Sequence, residues 1–266
     1  MKRLSLILTL CSFLCACGQK HVGKAACIMY SQHVKDSFDI YITLPKDYKA
    51  NEQHSVFYYL DANIKSGNKI RESLRDSAVK QRLAKTIFVG IGHRGNFHEL
   101  RRRDFTVPEV AGKDTFGLSA NFGQINRFYQ FMKTELIPYI NGHYQTDPFN
   151  NSLLGHSFGG LFTIYALVQQ DTVFKHFYAL SPSLWVSNYS IYTFNKLDGT
   201  PGIKQDLFFA AGSLEVLNRI KAGTNQLDTY LQNKKYPALD FQYKIYAGET
   251  HNSAVPDAIR DILCGR

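Results

Sequence analysis

The sequence predicts an α/β fold, a mostly parallel sheet with helices on both faces. Three observations carry that prediction. Short, continuous apolar runs recur along the chain, as strands covered on both faces require. Segments with helical spacing of apolar residues alternate with them. Between one such run and one such segment lies Gly155-His156-Ser157-Phe158-Gly159, a G-x-S-x-G pattern in a strand–turn–helix context.

The elements follow in order. Ser37–Leu44 alternates like a half-buried strand and ends at Pro45, and Met29–Val34 is its antiparallel partner, with Lys35-Asp36 at the turn. Val56–Leu60 and Thr86–Ile91 are compact apolar runs, and Ile70–Leu83 between them has helical spacing with many charges. Apolar residues at 125, 128, 129, 132, 136 and 140 form one helical stripe. Ser152-Leu153-Leu154 leads as a strand into the pentapeptide, and Gly160–Leu167 continues it as a helix. Strands are expected at His176–Leu180, Leu207–Ala211 and Phe241–Tyr246, with helices over 217–233 and 253–263. An antiparallel hairpin ahead of a parallel sheet is the α/β-hydrolase arrangement, in which active residues occupy loops at the carboxyl ends of strands.

A serine at such a bend is a nucleophile only with help. Glycines flank it because the turn strains its backbone and a Cβ on either side would meet strand or helix. A histidine must take its proton, and a carboxylate must hold that imidazole in one tautomer. In this fold the chain order is serine, acid, histidine. Only His176 and His251 follow Ser157. His176 opens a strand, the wrong end, so His251 in the loop 247–253 is the expected general base. Glu215, directly after the strand 207–211, is the expected acid, with Glu249 as the alternative; Asp206 and Asp198 fit worse. The oxyanion should meet the backbone N–H of Phe158 and a second N–H from Asp61-Ala62-Asn63, for which Ala62 is named.

The chain of 266 residues, 44% hydrophobic, suits one globular domain with a large core and no internal linker. Residues 1–16 are expected to be a lipoprotein signal peptide: Lys2 and Arg3 precede an apolar stretch over Leu4–Leu14 too short to span a bilayer. Leu14-Cys15-Ala16-Cys17 resembles the bacterial lipobox, which implies cleavage before Cys17 and its lipidation. Residues 17–266 would then be a single domain tethered in the cell envelope, at the outer membrane on its periplasmic or surface face. Of five cysteines, Cys27 and Cys264 remain for a disulfide joining the two ends of the domain. The net charge of +9, two of it from Lys2 and Arg3, fits an anionic substrate or surface. Nucleic acid is not expected, because the basic residues are scattered and no nucleic-acid motif occurs.

The stretches Phe57–Ala62, Val89–Gly92, Arg101–Thr106, Gly155–Gly160 and Leu180–Trp185 together resemble the putative-esterase branch of the α/β hydrolases. The siderophore (enterochelin and salmochelin) esterases are the most similar subgroup, and Gly212–Glu215 and His251–Ser253 fall where that branch places acid and histidine. One departure is Asp61-Ala62, where the branch often has Asp-Gly. The resemblance implies a serine esterase that needs no metal and no cofactor and acts on a small-molecule ester. For siderophore esters the substrate is an anionic catecholate triester. Arg101, Arg102 and Arg103 then bind negative oxygens, or one bridges to Asp104 or caps a helix and the others are solvated. Trp185 lines the pocket or belongs to the core. Feruloyl or acetyl-polysaccharide esterase, acyltransferase and non-catalytic binding lipoprotein are the alternatives.

Overall fold

The computed structural model describes residues 25–73, 75–108, 123–186, 203–216, 219–234 and 236–265. The expected leader and Cys17 lie outside them. Eight strands form one sheet: β1 (Cys27–Ser31), β2 (Asp36–Thr43), β3 (His54–Tyr59), β4 (Thr86–His93), β5 (Thr146–His156), β6 (His176–Leu180), β7 (Gln205–Gly212) and β8 (Leu239–Tyr246). Their spatial order is β1-β2-β4-β3-β5-β6-β7-β8, antiparallel at β1–β2 and β2–β4 and parallel elsewhere. This is the α/β-hydrolase architecture, with the predicted hairpin at one edge.

Burial explains why each run became a strand. All eight residues of β4 are buried, as expected for an apolar strand covered on both faces. At the edge, β1 alternates: Cys27 and Met29 pack inward while Ile28 and Tyr30 stand exposed. Helices divide between the faces. The face bearing Val56, Tyr58, Val89 and Leu153 carries α3 (Phe97–Phe105), α4 (Ile125–Phe131), α5 (Ile137–His143), α6 (Phe158–Leu167) and α7 (Ile220–Lys234). The opposite face, bearing Phe57, Tyr59, Phe88 and Leu154, carries α1 (Lys65–Ser73), α2 (Ser77–Arg82) and α8 (Ala254–Cys264).

Three local outcomes differ from the sequence reading. The single helix expected over 70–83 is two, because Asp76 caps α2 by accepting from the N–H groups of Ala78 (2.8 Å) and Val79 (3.3 Å). The stripe over 125–140 is continuous but passes through a π turn (Met132–Leu136) between α4 and α5. The predicted Cys27–Cys264 disulfide is not formed. Cys27 packs against the core of one sheet face and Cys264 against that of the other, so the sheet separates them.

Candidate active site

The bend between β5 and α6 places Ser157 at the carboxyl end of the sheet. Its backbone takes φ 63° and ψ −116°, a conformation costing on the order of 1–3 kcal/mol for a residue with a Cβ. The surrounding fold maintains it through Ser157 N–H to the Leu180 carbonyl (2.9 Å) and Ser183 N–H to the Ser157 carbonyl (3.1 Å). The glycine requirement falls unevenly. A Cβ on Gly155 would lie 2.1 Å from the Gly159 carbonyl oxygen, where helix crosses strand, whereas at Gly159 the nearest atoms are 3.4 Å away.

Glu215 and His251 come together from two separate loops. His251 Nδ1 lies 2.6 Å from Glu215 Oε2, a charge-assisted geometry when the ring donates. The carboxylate's other oxygen accepts from the Ser181 hydroxyl and the Gly212 N–H, both at 2.7 Å. Burial pushes the Glu215 carboxyl up, but the hydrogen bonds from His251, Gly212 and Ser181 outweigh it and hold the group below its ordinary range. Glu215 is thus ionised, buried and aimed. Glu249 does not reach His251: its side chain makes no hydrogen bond or ion pair among the described residues, and its carbonyl accepts from Leu214 N–H.

Ser157 Oγ rests 3.3 Å from Ser183 Oγ and makes no hydrogen bond to the His251 ring. The imidazole is nevertheless beside the bend. His156, the residue before the serine, packs its ring against that of His251 at a tilt of 37° with centroids 4.6 Å apart, and its Nε2 lies 2.9 Å from the His251 carbonyl oxygen.

The predicted oxyanion donors fare differently. Phe158 is the first residue of α6, so its N–H has no acceptor within the helix and stands at the positive end of the helix dipole. Ala62 is corrected: it is fully buried and its N–H donates to the Ile91 carbonyl (2.9 Å), which leaves it no hydrogen for a substrate. The N–H of the next residue, Asn63, has no acceptor among the described residues, and its side chain is fixed by Nδ2–H to the His93 carbonyl (2.7 Å).

The three arginines separate. Arg101 is buried in a fork against Asp61, Nε to Oδ1 at 2.6 Å and Nη2 to Oδ2 at 2.8 Å, and Nη2 also reaches the His156 carbonyl at 3.2 Å. It therefore lies at the bend, with Nη1 lacking a protein acceptor among the described residues. Arg103 is corrected to a structural role: it forks onto Asp104 (2.8 and 2.9 Å) and reaches Asp36 (2.8 Å). Arg102 is half-buried, with no side-chain acceptor among the described residues. Trp185 is half-buried and packs against the larger core cluster. Sequence reasoning missed Ser181, Ser183 and His156. Their proximity to the serine and the acid in the motifs was the one available signal. Among the described residues no His/Cys/Asp/Glu cluster could hold a metal ion.

Comparison with known proteins agrees with this architecture. A family model described as "Putative esterase" matches residues 31–253. The ferri-bacillibactin esterase BesA of Bacillus subtilis is 26% identical over 252 residues, spanning 88% of this chain and 86% of that protein. An apo-salmochelin esterase of Escherichia coli is 28% identical over 156 residues, 55% of this chain and 47% of its own length. Among solved structures, the BES protein from Bacillus cereus aligns with a TM-score of 0.77 at 27% identity, covering 90% of this chain and 93% of that one. An IroE-like serine hydrolase from Shewanella oneidensis aligns with a TM-score of 0.76 at 26% identity, covering 90% and 78%.

Proposed function

The chain belongs to the family of the matching esterase model and is a carboxylic ester hydrolase, and on that premise we propose that it is a serine esterase acting through an acyl-enzyme on Ser157. The observation that carries the reading is the 2.6 Å contact of His251 with a buried, ionised Glu215, beside a serine held at positive φ.

The steps follow from these groups. Ser157 Oγ leaves the Ser183 hydroxyl, gives its proton to His251 Nε2 and attacks the ester carbonyl carbon. The imidazolium is stabilised by Glu215 through Nδ1–H. The alkoxide of the tetrahedral intermediate is met by Phe158 N–H and by Nη1 of Arg101, which takes the place expected of Ala62. Collapse breaks the bond to the alcohol, which leaves with the proton from His251. Water, deprotonated by His251, then attacks the acyl carbon and releases the acid, returning the proton to Ser157.

For the substrate we propose a siderophore-type ester, an anionic catecholate triester or its iron complex. The support is chemical and comparative: a net charge of +9, only two of it in the expected leader, a buried guanidinium at the bend, and relatives named for bacillibactin and salmochelin. Lipidation of Cys17 and tethering of one domain over 17–266 in the cell envelope remain part of the proposal. Incorporation of labelled palmitate that is lost in Cys17→Ala checks them.

The deciding experiment is hydrolysis by the purified protein of p-nitrophenyl butyrate, a catecholate triester, a feruloyl ester and an acetylated sugar. Ser157→Ala or His251→Ala should reduce the rate on the order of 10⁴-fold or more. A catecholate triester hydrolysed no faster than the feruloyl and acetyl esters would reject the substrate class while leaving the mechanism standing.

A further inference from the structure

We infer that His156 is a positioning residue for the general base, its imidazole tethering the main chain of His251 to the end of the strand that delivers the nucleophile. The inference rests on the assignment of His251 as base.

His156 ends β5, where the sheet register pairs it with Leu180, so its backbone cannot drift relative to Ser157. Its side chain is 8% exposed, and its Nε2 is 2.9 Å from the His251 carbonyl oxygen. A carbonyl only accepts, so Nε2 carries the hydrogen and donates it. Among the described residues no other side chain bonds the His251 main chain. The flanks of that loop are tied elsewhere: Gly248 N–H to Ser213 Oγ, Leu214 N–H to the Glu249 carbonyl, and Thr250 N–H to Ser253 Oγ. Ala247, Gly248, Thr250, Asn252 and Ser253 are exposed. The His156 bond therefore fixes the one residue of the loop whose placement the chemistry needs.

The charge state of His156 suits this role. The groups facing it are the His251 ring packed against it, the Glu215 carboxylate beyond that ring, and the Arg101 guanidinium at its own carbonyl. Burial first, then His251 and Arg101, push its imidazole down to about 3, so it is neutral at neutral pH. A cationic ring with its centroid 4.6 Å from that of His251 would oppose the proton that the base must accept.

The test compares His156→Gln, His156→Asn and His156→Leu in the full chain, with p-nitrophenyl acetate hydrolysis and fluorophosphonate labelling of Ser157. Glutamine places an amide N–H where Nε2 stood and should keep kcat within about threefold. Asparagine falls one methylene short and leucine has no donor; both should lose kcat about 10- to 100-fold, since small misplacements cost that much, with KM unchanged. Counting folded molecules by urea unfolding and expressing kcat per folded molecule separates misplacement from loss of fold, and the unchanged KM with rescue by glutamine marks positioning. Asparagine or leucine variants with the wild-type kcat per folded molecule overturn the inference. So does a glutamine variant that falls as far as asparagine, through kcat or through loss of fold. If leucine does not fold, the two amides decide between themselves. Wild-type labelling is the control: its failure at Ser157 sinks the serine mechanism and this inference together, whereas labelled wild type with unaffected asparagine sinks the role of His156 alone.

Discussion

The Ser157 hydroxyl is partnered at rest by the Ser183 hydroxyl, 3.3 Å away, and not by the His251 imidazole. Ser183 is buried, and its own N–H donates to the Ser157 carbonyl, so the two serines are joined through both main chain and side chain. A long bond between neutral hydroxyls is worth about 0.5–1 kcal/mol net. It is a small cost to the turn that brings Oγ to the base. Ser183→Ala should therefore change kcat/KM on p-nitrophenyl acetate by no more than about fivefold. A loss of 100-fold or more on the order of a catalytic knockout would place Ser183 in the reaction itself.

Glu215 accepts three hydrogen bonds and His251 supplies only one of them. Glu215→Gln keeps the shape but sets an amide against the Nδ1–H, so kcat should fall about 10²- to 10⁴-fold with little change in KM. Glu249→Gln should leave both parameters alone. Steady-state kinetics of the two variants separate the candidates, and a silent Glu215→Gln would transfer the acid role away from it.

The Asp61–Arg101 fork is buried, so removing one partner leaves a charge without compensation. Asp61 sits at φ 60°, which asparagine tolerates, so Asp61→Asn isolates the effect of charge. Urea unfolding should show a loss of about 3–5 kcal/mol. Adding Arg101→Met removes the stranded cation and should restore most of that stability while activity stays low, because the guanidinium at the bend is then absent. A double variant that regains activity as well as stability would remove Arg101 from the chemistry.

Most of the sheet and the pair of loops that meet at the site could be read from the chain alone, and the reasons are local. His176–Leu180 matches its predicted strand, and the hairpin, the bend and the C-terminal helix lie within a few residues of expectation. Each depends on neighbours in sequence: apolar runs, a glycine bend, an order rule. What could not be read depends on partners distant in sequence. The N–H of Ala62 is engaged because β4 brings the Ile91 carbonyl alongside it. Arg101 and Arg103 differ in role because the acidic partners of α3 arrive from β2 and from the turn after β3. The disulfide failed for the same reason: nearness of chain ends says nothing about which face of the sheet each cysteine occupies.

Acid stability gives an independent test of the buried histidine at the site. His156 has its folded value pushed to about 3 from an ordinary 6.5, chiefly by burial. The unfolded chain then binds a proton that the folded chain does not, so stability is complete above about pH 6.5 and declines as pH falls toward 3. Glu215, held below its ordinary 4.5, adds a loss of the same sign, but only as pH falls below that value. His176, also held low by burial, contributes in the upper window, so the informative quantity is a difference between proteins. Between pH 7 and 4.5, wild type should lose about 2 kcal/mol more than His156→Gln, one proton over some two pH units. Urea unfolding at several pH values measures it. Parallel stability curves for the two proteins would mean that His156 takes up its proton in the folded state, and that the site tolerates a positive imidazole there.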